Sequence, residues 1–182
     1  MAAKAVWSRP RALNVGPLGG REHMDNVRLQ PVTYAELSVL RHEVAVSKEP
    51  QHVQTPEFLV VRFSGVYRDG AAGKGDALYI LASAAAARKA WWSPSTILDF
   101  RDLEYRWGDE MQWVTSITWD AGVRAEAPLA VVVGDKSRDA LRSLLRDDYG
   151  DTCVETMDDA FAMCRRKAQE YKQRLKEIRD RA

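Results

Sequence analysis

Ser95-Thr-Ile-Leu-Asp-Phe-Arg-Asp-Leu-Glu-Tyr-Arg-Trp-Gly-Asp-Glu-Met111 is the stretch on which the fold turns. Its first half reads as a short buried strand ending at Asp99, followed by a loop. A helix is expected from Gly108 to Ala121, with Met111, Val114, Thr118 and Ala121 on one face and Gly122 as a left-handed cap. A second strand-to-helix unit follows. Leu129–Val133 is a continuous apolar run, as a strand covered on both faces requires. Ser137 is expected to cap a helix over Arg138–Leu145.

Upstream, residues 57–67 carry a strong strand signal. Residues 33–47 alternate loosely, with Leu37, Val39, Val44 and Val46 as inward positions. The polar linker between them holds Pro50 and Pro56, which predicts an antiparallel pair joined by a long loop. Residues 68–76 are a glycine-rich turn. Asp76 is expected to cap an alanine-rich helix, Ala77–Trp92, with Leu78, Leu81, Ala82 and Ala85 as its core stripe. At least one of Trp91 and Trp92 should pack on the sheet. Thr152–Met157 reads as an edge strand and Asp158 as the cap of the last helix.

The order β-β-α-β-α-β-α-β-α predicts an α/β domain, a mixed sheet with a largely parallel centre and helices packed against it. Residues 1–30 lack a sustained apolar period and read as a disordered arm. Residues 31–165 form the expected domain, and 166–182 extend its last helix.

Composition removes several function classes. A net charge of +1 gives no whole-chain attraction to polyanions, so nucleic acid is not an expected partner. Cys153 and Cys164 are too few for a disulfide scaffold and are expected as reduced thiols. No stretch is long and apolar enough to span a bilayer, and the N-terminus lacks a secretory apolar region; cytoplasmic residence is the expectation. The loop Gly70–Gly75 fails as a phosphate loop: position 68 is Arg where glycine is needed, and Gly75 stands where a hydroxyl must hold magnesium. His23, His42 and His52 have no ligand-like spacing, so no metal or cofactor is expected. No nucleophile-elbow pattern is present. The carboxylate pairs at Asp147-Asp148 and Asp158-Asp159 have no basic partner with a defined role, and the chain is read as non-enzymatic.

Four segments share a family pattern: Phe63-Ser-Gly65, Ile97-Leu-Asp-Phe-Arg-Asp-Leu103, Ala130-Val-Val-Val-Gly134 with Leu144-Leu145, and Asp158-Asp-Ala-Phe161. Together they resemble the STAS domain of anti-sigma-factor antagonists and sulfate-transporter tails, over about Glu57 to about Arg165. The resemblance implies a STAS-like mixed sheet and a regulatory or scaffolding role toward a protein partner in a bacterial cytoplasm. Tyr105 to Asp109 falls where that family has its Asp-Ser-Ser/Ala-Gly turn. Antagonists of the family carry a phosphorylatable serine there. Here the residues are Arg106-Trp-Gly-Asp109, with no hydroxyl up to Met111 except that of Tyr105. A serine phospho-switch is therefore not expected.

Aromatic residues and arginine are enriched at protein interfaces. Arg106, Trp107, Gly108, Asp109, Glu110 and Trp113 are accordingly the candidate partner surface; tryptophans that merely cover a sheet edge are the alternative. Phe161, Cys164, Ala168, Tyr171, Leu175 and Ile178 are spaced 3, 4, 3, 4 and 3, a heptad seam. Ala168, Tyr171, Leu175 and Ile178 lie past the length a small sheet needs and are candidates for self-association as a homodimer. A helix packed on its own domain is the alternative. A small-ligand or lipid-binding module lined by tryptophans, and an enzyme of unrecognised type with convergent titratable groups at the C-terminal strand ends, are the remaining rivals.

Overall fold

The computed structural model describes residues 30–47, 55–120 and 125–181. Residues 1–29 of the expected arm, Ala121, Gly122 and most of the proline-bearing linker lie outside the described residues. From Val32 onward the chain forms one compact unit built on a five-stranded sheet. Its strands are β1 (Arg41–Val46), β2 (Phe58–Val66), β3 (Ser95–Glu104), β6 (Leu129–Val133) and β7 (Cys153–Val154), in the spatial order β1-β2-β3-β6-β7. A separate two-residue pair joins β4 (Trp119–Asp120) to β5 (Ala125–Glu126). The helices are α1 (Lys74–Trp91), α2 (Met111–Val114), α3 (Arg138–Leu145), α4 (Tyr149–Thr152) and α5 (Met157–Arg181).

The β1–β2 pair is antiparallel, and β2–β3, β3–β6 and β6–β7 are parallel. The molecule is thus the mixed α/β sheet expected, in the expected order, with β4–β5 added. β6 is Leu-Ala-Val-Val-Val with every residue buried, because helices cover both faces. On one face Leu59, Val61, Phe63, Leu98, Phe100, Val131 and Val133 pack with Ile80 and Ala84 of α1 and Leu141 of α3. On the other, Phe58, Ile97, Ala130 and Val132 pack with Ala160, Met163 and Cys164 of α5. Full burial of each large aliphatic or aromatic side chain contributes about 1.5–3 kcal/mol.

The structure corrects several expectations. β3 does not end at Asp99 but runs to Glu104, pairing with β2 through a register shift between Arg62 and Ser64. The expected helix Gly108–Ala121 is the single turn α2, after which the chain forms turns and then β4. Val114, Thr115, Ile117 and Thr118 are β-branched and resist helix. Of its expected face, Met111, Val114 and Thr118 are buried nonetheless.

In α1 the buried residues are Ala77, Tyr79, Ile80, Ser83, Ala84 and Ala87; Leu78, Leu81 and Ala82 are half-buried and Ala85 is exposed. Asp76 is not a cap but a fully buried carboxylate inside the first turn. Trp91 and Trp92 are both exposed, with Trp92 closing the helix in the left-handed region (φ 53°). Val39 and Val44 face solvent, while Leu40 is buried. Ser137 makes no capping bond; its hydroxyl accepts from Gly134 N and donates to Phe100 O, fixing the β6–α3 turn to β3. The edge strand shrinks to β7. Thr156 caps α5, its Oγ1 accepting from Asp159 N at 3.1 Å.

Candidate functional site

β2, β3 and β6 run parallel and end at one rim, the usual place for sites in α/β sheets. Two connections meet there: the turn Tyr105–Glu110 after β3, and the segment Tyr67–Gly73 after β2. Tyr67, 1% exposed, donates its hydroxyl to Asp109 O at 2.7 Å. Asp109 N donates to Gly70 O at 3.2 Å. Arg106 pairs with Asp69 at 2.9 Å, and Glu110 with Lys74 at 3.1 Å. The rings of Tyr67 and Tyr105 meet edge to face at 5.1 Å. Burial, with Tyr105 and the nearby carboxylates adding to it, raises the Tyr67 hydroxyl well above its ordinary pKa, so it stays a donor.

These anchors decide what each expected residue does. Gly108 rests on the Tyr67 ring, and a Cβ there would stand 2.6 Å from Cε1, so its role is close approach. Glu110 has φ 69°, a conformation unusual for a side-chain-bearing residue, and is held by Lys74. Arg106, Trp107, Asp109 and Trp113 offer side chains to solvent, Trp107 being 61% exposed and Trp113 48%. A groove of about 390 Å³ separates Trp107 and Asp109 from Ala140, Ser143, Leu144 and Arg146 at α3 and its end. Arg146 also sits at positive φ (49°, ψ −113°), and strained backbone of this kind clusters at functional sites.

Sequence reasoning missed Tyr67, Asp69 and Gly70, which hold the turn from another segment. The glycines of residues 70–75 were the visible signal. It also missed two buried carboxylates. Asp76 accepts from Arg68 N, Nε and Nη2 and from Ser38 Oγ. Asp99 accepts from Arg62 Nε at 2.9 Å and from Arg101 Nε, Nη2 and backbone N. Burial alone would raise both carboxyls. Hydrogen bonds outweigh it, from Arg68 and Ser38 to Asp76 and from Arg101 and Arg62 to Asp99, and hold both below the usual range. Each is saturated as an acceptor by structural partners.

Among the described residues no group of three or more His, Cys, Asp or Glu side chains is arranged to hold a metal ion. No described helix is long and apolar enough to cross a membrane.

The candidate seam on α5 divides in two. Phe161 packs its ring tilted against Phe58 with centroids 4.7 Å apart, Cys164 Sγ contacts Thr96 O at 3.7 Å, and Lys167 Nζ donates to Leu129 O at 2.9 Å. Ala168 and Tyr171 are half-buried. Leu175 and Ile178 are 42% and 41% exposed.

No family model matches the chain, and no curated protein matches it. Among solved structures, it is similar to the crystal structure of an anti-sigma factor antagonist from Mycobacterium paratuberculosis. The two are 20% identical with a TM-score of 0.48, over 69% of this chain and 95% of that one.

Proposed function

We propose that this chain is a non-enzymatic, STAS-like regulatory or scaffolding module that binds a protein partner through Arg106, Trp107, Asp109 and Trp113. Gly108 and Glu110 shape the turn. The observation that carries the reading is the pairing of an exposed Trp107 with a backbone fastened from beneath by Tyr67, Asp69 and Gly70. A large, stiff aromatic on a fixed loop loses little entropy on docking, which is how anchor residues gain affinity. The element order adds the support of the STAS resemblance, with the bacterial cytoplasm as its setting. The only hydroxyl of the turn belongs to buried Tyr105, so the mechanism is occupancy: the turn docks, and binding blocks or recruits the partner.

A photo-crosslinking residue placed in turn at 107, 113 and 92 tests this in cells. The reading expects one common protein adduct from positions 107 and 113 and none of it from position 92, at the far end of α1. An adduct shared equally by all three positions, or found only at 92, refutes it.

A further inference from the structure

We propose that the projecting half of α5 is a docking seam for an acidic amphipathic helix of another protein. The inference is independent of the rim and uses a different surface. α5 touches the sheet through Ala160, Met163, Cys164 and Lys167. From Ala168 to Arg181 it extends for about 20 Å, and residues 172–180 are all exposed.

The apolar line along this half is narrow: Ala168, Tyr171, Leu175 and Ile178, spaced 3, 4 and 3. A strict two-in-seven stripe fits another helix, whereas a helix lying on a lipid surface needs a wider apolar face.

The flanks name the occupant. With Ala168 and Leu175 at one core position of the heptad and Tyr171 and Ile178 at the other, the positions bordering the seam are Lys172, Arg174, Arg179 and Arg181. All four are basic. The acidic residues of this half, Glu170, Glu177 and Asp180, lie at positions away from the seam. A second copy of the chain would bring basic flank against basic flank in either orientation, since parallel pairing sets these two positions against each other and antiparallel pairing sets each against itself. That arrangement disfavours the homodimer and favours a partner helix with glutamate or aspartate along its borders. A polyanion such as nucleic acid would use the arginines and lysine but leave Leu175 and Ile178 without a role.

The test uses the full chain and two synthetic helices of about four heptads, both with leucine seams. One carries glutamate and the other lysine at every flanking position. Titration should show the glutamate peptide binding tighter by roughly tenfold or more. Leu175→Asp should abolish that binding without moving the thermal midpoint, because Leu175 makes no part of the core. Reversing the flank, with Lys172→Glu, Arg174→Glu and Arg179→Glu together, should transfer preference to the lysine peptide. Failure of the glutamate peptide to bind, equal binding of both peptides, or binding that survives Leu175→Asp overturns the proposal. So does a wild-type dimer that Leu175→Asp dissolves, or retention on duplex DNA or anionic vesicles without peptide binding.

Discussion

The indole of Trp107 lies across Gly70. A Cβ on Gly70 would stand 2.9 Å from the ring carbon Cη2, and Gly70 itself has φ 62°. An exposed aromatic of one connection is thereby seated on the backbone of another.

Gly70→Ala should therefore lift the indole off its seat. The added methyl meets the ring, and alanine resists the left-handed conformation, so a cost of about 1–2 kcal/mol is expected. Tryptophan emission should change with it. In a Trp107→Ala background the same substitution should cost less, because only the backbone part remains; chemical denaturation of the four variants measures the difference.

Trp107→Ala alone should leave folding stability within about 0.5 kcal/mol of the parent, as expected for a largely exposed side chain. Partner affinity should fall by about 2 kcal/mol, the scale of an anchor residue. A large stability loss by denaturant melting would instead mark Trp107 as part of the core.

Asp76 and Asp99 set the acid limb of the stability curve. Both carboxyls are held below their usual pKa in the folded state, so the unfolded chain takes up protons first as pH falls. Their contribution is complete above the ordinary carboxylate value of about 3.9 and is lost as pH drops through the lower folded values. Asp99→Asn should cost about 2–4 kcal/mol near neutrality, moderated by the half-exposed guanidiniums of Arg62 and Arg101. Below about pH 3 the gap between variant and parent should narrow. Urea melts from pH 7 to pH 2.5 check both signs.

Cys153 and Cys164 are buried, and burial pushes each thiol up to about 12. At pH 8 the native protein should react with a thiol-specific dye at the rate of unfolding, and both thiols should react at once in denaturant. Fast labelling of either in the native state would contradict the burial of α5 or β7 against the sheet.

The parts that the sequence announced were those with a single strong signal. The Leu-Ala-Val-Val-Val run of β6, short, rich in valine and bounded by Pro128 and Gly134, reads as a buried strand, and the fold class follows from it and its neighbours. The end of β3 was hidden because Arg101, Asp102 and Glu104 break the apolar run, although Asp102, Leu103 and Glu104 still pair with Ser64, Gly65 and Val66 of β2. Alanines on every side of α1 weaken its apolar period, so the stripe expected through Leu78, Leu81, Ala82 and Ala85 is displaced by the face that carries Tyr79 and Ile80. Around the rim, the residues of 105–113 were legible as one local cluster. Tyr67, Asp69 and Gly70 were not, because what joins them to that cluster is contact between separate connections, and no periodicity encodes it.

Arg68 reaches from the β2–α1 connection to both Asp76 and the carbonyl of Leu37, and Ser38, which also binds Asp76, receives the amide of Leu40. The entry to β1 is thus fastened to the first turn of α1, and β1 has a single neighbour in the sheet. Seating of this strand is coupled to the first turn of α1. The strand and the helix turn therefore hold one another, and cutting the Ser38–Asp76 bond should loosen both ends of the connection together.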